Sequence, residues 1–117
     1  MDKKTVKILD KKLLIMDKSI SFQYKIADVI VLEDKVIVML EIPTNENFLE
    51  NIYAVSPYCE IIWQVQPIKD FDSKILEVLP YENLFYNNEK LSASDFYGRK
   101  YDIDVENGKI KSFQVSK

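Results

Sequence analysis

The feature that most constrains this chain is a succession of short β-prone runs, each five to seven residues long, separated by polar dipeptides or loops. Within the runs apolar and aromatic residues alternate with polar ones, which is typical of half-buried strands. The spacing of the runs matches that of small all-β domains and predicts ten or eleven strands. The runs are residues 5–9, 12–16, 20–26, 28–33, 36–42, 51–56, 61–65, 83–87, 90–96, 100–106 and 109–115.

These runs predict one all-β domain over residues 1–117, because a chain of this length fits a single domain with a core of its own. We expect a compact antiparallel arrangement of β-hairpins: a meander, a sandwich or a partly open barrel, with propeller-blade-like hairpins. At most one short helix is expected, near residues 72–79, where Asp72 or Ser73 offers an N-cap and Pro80 a stop.

The Asn-Gly pair at 107–108 predicts a two-residue type I′ turn, since both central positions of that turn need positive φ. Such a turn sets the register of the last hairpin. Val105 would then lie opposite Ile110, and Asp104 opposite Lys111 as an exposed ion pair. One face of this hairpin is apolar, so we expect it to cover a core from one side.

The hairpin at 28–42 is apolar on both faces if its turn lies at residues 34–35. A strand pair of this kind is normally covered on both sides. It is therefore either the central hairpin of a layered domain, which we favour, or a surface that pairs with a second copy of the chain. The expected faces are Val29, Val31, Val38 and Leu40 on one side and Ile30, Leu32, Ile37 and Met39 on the other.

The hairpin at 51–65 holds the only tryptophan, and pairing its arms across a loop at 56–60 places Tyr53 opposite Trp63. A cross-strand aromatic pair stabilises a sheet by about 0.5–1.5 kcal/mol beyond its burial. The neighbours on that face are apolar, which favours a structural pair within a core. The alternative is an exposed ring that stacks on a sugar or a base.

Aromatic residues are crowded into the last third of the chain, and exposed clusters of this kind indicate a protein interface. The candidate interface residues are Phe85, Tyr86, Phe96 and Tyr97. A turn at 88–89 would place Tyr86 opposite Leu91 and Phe85 opposite Ser92. The alternative is that these rings are half-buried filler, for which β-proteins often use tyrosine.

The residues needed for common catalytic chemistry are scarce. The chain has no histidine, the commonest general base and metal ligand. Cys59 lies beside Glu60, whose charge disfavours a thiolate, and two glycines are too few for a phosphate-binding loop. We therefore expect no enzyme activity, no catalytic residues, no metal site and no cofactor.

The charge and hydropathy of the chain limit the classes of partner and the compartment that we expect. The net charge is -3, and Arg99 is the only arginine, which argues against nucleic acid as a partner. No stretch resembles a signal peptide or approaches the length of about 18 apolar residues that a membrane span needs. A single cysteine cannot form an internal disulfide. Together these features predict a cytoplasmic protein that does not bind membranes.

Two stretches resemble a family of small, mostly uncharacterised bacterial proteins. The run N-I-Y-A-V…W at 51–63 is similar to the strand–turn–strand of β-propeller blades, although the Asp and Gly of that turn are missing. The second stretch follows the pattern L-x-A…G-x-x-Y-x-I-D-x-x-x-G-K-I. The residues that match this ending are Tyr86, Leu91, Ala93, Gly98, Tyr101, Ile103, Asp104, Gly108 and Ile110.

The resemblance covers residues 30–115 and implies a compact antiparallel domain, while the length excludes a full propeller. It also implies that the protein has no established activity, and it suggests an immunity role against bacterial toxins for some members. It transfers no site residues. The resulting expectation is a protein-binding module, with a basic toxin as the most concrete partner and a homodimer as an open possibility. The alternative is a domain that binds small ligands or carbohydrates with Tyr and Trp rings.

Overall fold

Eleven strands form three antiparallel sheets within residues 1–115, the part of the chain that the computed structural model describes. In each sheet the strands are neighbours in chain order, so every sheet is a meander of hairpins. The all-β prediction is confirmed. The strands are β1 (Val6–Leu9), β2 (Lys12–Ile15), β3 (Lys18–Ser21), β4 (Ile26–Val31), β5 (Val36–Leu40), β6 (Ile52–Val55), β7 (Ile61–Gln64), β8 (Tyr81–Asn87), β9 (Lys90–Asp95), β10 (Arg99–Ile103) and β11 (Ile110–Val115).

The sheets are layered around two hydrophobic cores. The central sheet, β4–β7, packs one face against the carboxy-terminal sheet, β8–β11, and the other against the amino-terminal sheet, β1–β3. Ile37 and Met39 of β5 lie in the first core, whereas Val36, Val38 and Leu40 lie in the second. Because successive strand residues point to opposite faces, a strand between two layers must be apolar throughout. All five residues of β5 are buried.

The hairpin β4–β5 is therefore the central hairpin of a layered domain, as favoured above. Its turn lies at residues 33–34, one position earlier than expected, and Val31 pairs with Val36. This moves the register by two residues, and a two-residue shift leaves every side chain on its predicted face. The face assignments are therefore confirmed although the turn position was wrong.

The last hairpin departs from its predicted register. Gly108 has a positive φ of 77°, but Asn107 does not, so the pair forms no type I′ turn. Instead Ile103 pairs with Ile110, and residues 104–109 form a longer loop closed by a 2.8 Å bond from the Asp104 N–H to the Lys109 carbonyl. The predicted Val105–Ile110 and Asp104–Lys111 pairs are absent from the ladder that the structure describes.

The physical reason is Trp63, which this loop encloses. The indole Nε1 donates a 3.0 Å hydrogen bond to the Val105 carbonyl. A Cβ added at Gly108 would lie 2.5 Å from Cε3 of Trp63. The tight turn that Asn-Gly favours locally gives way to a loop that closes over the indole. The apolar face of the hairpin is nevertheless buried as predicted, through Tyr101 and Ile110.

We expect Gly108→Ala to lower the free energy of unfolding by about 2–4 kcal/mol, from the clash with Trp63 plus the cost of positive φ. Gly98→Ala is the matched control, because Gly98 has a similar φ of 78° without the Trp63 contact, and it should cost about 1 kcal/mol. Urea unfolding measures both. Equal losses for the two variants would contradict the packing argument.

The hairpin β6–β7 contains a bulge that changes its aromatic pairing. Val55 pairs with Ile61 as predicted, but after the bulge Ala54 pairs with Trp63 and Tyr53 with Gln64. The predicted Tyr53–Trp63 pair is therefore wrong, because the extra residue turns the two rings to opposite faces. Trp63 lies in the core shared with the carboxy-terminal sheet, and Tyr53 packs on the other core.

The short helix lies upstream of its predicted place. α1 spans Ile68–Phe71, directly after Pro67, and residues 72–79 contain no helix. Asp72 does not cap a helix there: its carboxylate accepts the Lys74 N–H at 3.0 Å in a turn. A 3₁₀ turn, Lys3–Thr5, precedes β1.

Candidate functional site

The four candidate interface aromatics are exposed, but they lie at two separate places. Exposed fractions are 43% for Phe85, 38% for Tyr86, 73% for Phe96 and 54% for Tyr97. The first two lie near the end of β8, with Tyr86 opposite Leu91 as predicted. The other two lie in the turn between β9 and β10, beside the start of β8. The structure therefore does not unite the four into one patch.

The turn that carries Phe96 and Tyr97 is held by Asp95. The Asp95 carboxylate accepts the N–H groups of Tyr97 and Arg99 at 3.0 and 3.1 Å, and the Gly98 N–H donates to the Asp95 carbonyl at 3.0 Å. Asp at the first and Gly at the fourth position are typical of a type I turn. Because the two aromatics occupy the middle of this turn, their rings project outward.

Phe96 and Tyr97 form the rim of the groove that we name the acidic groove. It has a volume of about 710 Å³ and runs between the loop after β5 and the segment that leads into β8. Its floor is the end of β5 and the start of β8. The residues that line it are Ala27, Met39, Leu40, Glu41, Ile42, Pro43, Thr44, Glu46, Asn47, Leu49, Val78, Leu79, Pro80, Tyr81, Glu82, Phe96 and Tyr97.

All the charged side chains that line the acidic groove are acidic. Glu41, Glu46 and Glu82 line it with exposed carboxylates, and no lysine or arginine among the described residues is part of the lining. The wider chain has the same bias: residues 1–25 hold seven basic and three acidic side chains, whereas residues 26–117 hold nine basic and sixteen acidic. A concave surface of one sign concentrates ligands of the opposite sign. The groove is suited to a cationic partner.

Asn51 joins the two sheets under the floor of the groove. Its amide Nδ2 donates to the carbonyls of Leu40 and Tyr81 at 2.8 and 2.9 Å, and its Oδ1 accepts the Tyr81 N–H at 3.0 Å. The side chain is fully buried. A buried polar side chain with all its groups bonded fixes the relative position of the elements it joins. Asn51 therefore fixes the end of β5 relative to the start of β8.

Arg99 holds the wall of the groove that is formed by the segment leading into β8. Nε bonds to Oδ2 of Asp95 at 2.7 Å, and the two terminal nitrogens donate to the carbonyls of Leu76 and Glu77, also at 2.7 Å. The guanidinium carbon lies 5.2 Å from the centre of the Tyr97 ring, a cation–π distance. The same segment has a positive φ of 53° at Glu77, a conformation that a right-handed helix excludes, so residues 72–79 form no helix.

The opposite wall, which is the loop after β5, is held by a hydrogen bond between Tyr24 and Glu46. The phenol donates to Oε1 of Glu46 at 2.8 Å, and this bond raises the pKa of Tyr24. The Tyr24 ring also packs on Phe48, with centroids 5.6 Å apart. The loop after β5, which carries two of the three groove glutamates, is thereby tied to the segment before β4.

Two tyrosines with buried hydroxyls pack together at the groove: Tyr81 is part of its lining, and Tyr101 is not. Tyr81 and Tyr101 pack edge to face with centroids 5.6 Å apart, and neither hydroxyl has a hydrogen-bond partner among residues 1–115. Burial raises the pKa of both, most strongly for Tyr81. Both phenols therefore stay neutral near pH 7.

The other candidates for chemistry are placed away from solvent or from one another. Trp63 is only 7% exposed, so its ring is not free to stack on a sugar. Burial raises the pKa of the Cys59 thiol. Within the described residues no group of three or more acidic or cysteine side chains is placed to hold a metal ion. No helix in this part of the chain is long and apolar enough to cross a membrane.

Sequence reasoning identified the rim aromatics and missed the residues that form the groove. Glu41, Glu46 and Glu82 lie far apart along the chain, and nothing in their local sequence distinguishes them from solvated charges. One local signal was present: Asp95 and Gly98 flank the two aromatics at the spacing of a type I turn. That spacing alone predicts that Phe96 and Tyr97 project outward.

Comparison with known proteins assigns a family. A model of the family described as Domain of unknown function (DUF7957) matches residues 3–115. The match runs from the 3₁₀ turn before β1 to the end of β11, so it includes all three sheets. No curated protein matches the chain.

Proposed function

Because the chain belongs to this family of unknown function, we propose its function from the site alone: it is a non-enzymatic module that binds a basic partner protein in the acidic groove. The observation that carries the proposal is the combination of two exposed aromatic rings, Phe96 and Tyr97, with three carboxylates in one groove. Aromatic anchors supply most of the binding energy at protein interfaces. Complementary charge supplies fast association and selects the partner.

The most specific form of the proposal is an immunity-type protein that neutralises a basic toxin in a bacterial cytoplasm. Its support is the small size, the net charge of -3 and the acidic groove. A bound immunity protein acts by covering the functional surface of the toxin, so it needs no catalytic residues of its own. Hydrogen bonds of Asn51, Arg99 and Tyr24 hold the walls of the groove, and a preformed surface loses little entropy on binding.

The alternative, a carbohydrate-binding domain that uses Tyr and Trp rings, receives less support. Trp63 is enclosed by the loop at 104–109. The exposed rings Phe96 and Tyr97 are tilted by 62° to each other, and both lie on a turn rather than along a sheet face. No flat aromatic platform results.

The test is a quantitative crosslinked pull-down of the tagged protein from its own cells, read by mass spectrometry. We expect one stoichiometric basic protein. The double variant Phe96→Ser/Tyr97→Ser should lower its affinity by about 30-fold or more, because loss of a central aromatic anchor costs about 2 kcal/mol or more. Phe85→Ser is the matched control, since it removes an exposed ring outside the groove.

A second variant tests whether the carboxylates of the acidic groove speed association with the partner. Glu41→Lys/Glu82→Lys should slow association with the purified partner by about tenfold at low salt, and this difference should shrink as salt is added. A toxin as partner should lose activity in the presence of the wild-type protein and keep it with the groove variants. Recovery of the chain alone, or equal binding by wild type and both groove variants, would contradict the proposal.

A further inference from the structure

β8 is an edge strand with one open side. The carboxy-terminal sheet has the order β11-β10-β9-β8, so β8 pairs with β9 only. The two-residue turn at 88–89 joins Asn87 to Lys90, and a turn of this length closes on a hydrogen-bonded pair. Pairs in an antiparallel ladder alternate, so Leu84 and Tyr86 direct their N–H and C=O groups away from β9.

These outward groups are open to an added strand. Within residues 1–115, neither the N–H nor the C=O of Leu84 or Tyr86 makes a hydrogen bond. Residues 83–88 contain no charged side chain and no proline, two devices by which natural proteins protect such an edge. The edge of β4 is less open, because the carboxylate of Asp28 accepts the Val29 N–H at 2.9 Å.

The open side of β8 faces a second groove, which we name the edge groove. Its volume is about 550 Å³, and its walls come from all three sheets, through β1, β4 and β8. Ile8 is 42% exposed on one wall and Tyr86 is 38% exposed on another, so the groove offers apolar contacts. The lining consists of Lys3, Val6, Ile8, residues 29–32, Leu84 and Tyr86.

The edge groove continues the acidic groove along the same two strands. On β4 the lining of the acidic groove includes Ala27, and that of the edge groove begins at Val29. On β8 the corresponding residues are Glu82 and Leu84. Because two residues of a strand span about 7 Å, the grooves adjoin, and one extended segment can lie in both. We name the two grooves together the seam.

The charge differs between the two ends of the seam. Three glutamates line the acidic groove, whereas Lys3 is the only charged residue in the lining of the edge groove. The exposed carboxylates of Asp28, Glu33 and Asp34 flank the open stretch of β4, so they repel an acidic segment. The segment that fits is basic in the acidic groove and apolar and uncharged in the edge groove.

We propose that the basic partner binds the seam with one extended segment: about four apolar residues pair with β8 in the edge groove, and adjacent lysines or arginines lie in the acidic groove. This mode of recognition rests on the function proposed above. Antiparallel pairing is the more stable arrangement, and it places the apolar residues before the basic ones. A second copy of the chain fits less well, because β8 and its turn contain no cation for the acidic groove.

The probe is a fluorescein-labelled heptapeptide of four valines followed by three lysines, titrated by fluorescence anisotropy. The control peptide has the four valines N-methylated, so it keeps the charges but cannot pair along a strand. We expect the probe to saturate below about 1 mM and the methylated peptide to bind about tenfold more weakly or less. Glu41→Lys/Glu82→Lys should weaken binding of the probe by about tenfold at low salt.

On the protein side, Tyr86→Pro removes an outward N–H and leaves the ladder with β9 intact, since proline is tolerated on an edge strand when its nitrogen faces away from the neighbour. Tyr86→Val is the matched control, because it loses the same ring and keeps the N–H. We expect Tyr86→Pro to bind the probe about tenfold more weakly than Tyr86→Val does.

The results expected for the whole seam differ from those expected for the acidic groove alone. Probe binding that depends on Glu41 and Glu82, but not on methylation or on the Tyr86 N–H, would keep the acidic groove as the binding site and overturn the role of β8. A probe that does not saturate at about 1 mM would also overturn that role, while the pull-down of the whole partner still tests the acidic groove.

The peptide comparison uses the wild-type protein, so it holds even if Tyr86→Pro does not fold. Sedimentation velocity tests the other occupant. A dimer that Tyr86→Pro converts to monomer would assign the edge of β8 to a second copy and overturn the proposal.

Discussion

Replacement of Asn51 by leucine is expected to lower the free energy of unfolding by about 3–5 kcal/mol, because it removes a fully buried amide that joins two sheets. The amide makes three hydrogen bonds to main-chain groups of Leu40 and Tyr81, all buried. Leucine fills a similar volume but leaves two carbonyls and one N–H without partners. Each such buried group costs about 1–3 kcal/mol.

Urea unfolding followed by Trp63 fluorescence measures this loss. Asn45→Leu is the matched control, because Asn45 is exposed in the loop of the same groove wall, and its change should stay within about 0.5 kcal/mol. Asn51→Asp adds a test of mechanism. A carboxylate there would face two carbonyls, so its pKa should rise on folding, and the deficit relative to wild type should shrink as the pH falls. A loss below about 1 kcal/mol for Asn51→Leu would contradict the role of the amide.

Arg99→Leu is expected to cost about 3–5 kcal/mol, because it leaves the fully buried Asp95 carboxylate without its ion-pair partner. It also releases the carbonyls of Leu76 and Glu77, so the wall of the acidic groove should loosen. Arg99→Lys should recover only part of the loss. An ammonium group cannot reproduce the planar fork that places three nitrogens on three acceptors.

Denaturant unfolding of a double-mutant cycle separates the charge from the packing. Asp95→Asn keeps an oxygen that can accept the N–H groups of the turn, so Asp95→Asn/Arg99→Leu should be more stable than Arg99→Leu alone. Lys111→Leu is the control for net charge, because it removes an exposed cation from β11, and it should change stability by about 0.5 kcal/mol or less. Full additivity in the cycle would exclude a coupled pair.

In the two hairpins of the central sheet, the sequence predicts the face of a side chain more reliably than its partner across the strands. In β4–β5 the expected faces are correct although the turn moved, because apolar side chains on both faces tolerate a two-residue shift. In β6–β7 a single bulge was enough to separate Tyr53 from Trp63. No local sequence pattern predicts this bulge, because the register with the bulge and the register without it both bury apolar side chains.

At Asn107-Gly108 the local preference is for a type I′ turn, but a contact with Trp63, which is distant in the sequence, prevents that turn. Both residues of the turn at 88–89 have positive φ, 52° for Asn88 and 61° for Glu89, so the type I′ geometry occurs there instead. That turn joins β8 and β9 by only two residues, and this spacing imposes positive φ on both of them although glutamate does not favour it. The pair at 107–108 lies against Trp63, and the bond from its indole to Val105 spans 42 residues.

Hydrophobic alternation acts within a few residues, so the sequence is enough to predict the strands, their antiparallel order and the two-sided burial of the central hairpin. It also named Phe96 and Tyr97 among four candidate interface aromatics and left open whether those rings are exposed or half-buried. The registers, the place of the helix and the acidic groove depend on contacts that the local sequence does not contain. The physical reason is distance along the chain: Asn51 and Tyr81 are 30 residues apart, Arg99 and Leu76 are 23 apart, and only the packed sheets bring them together.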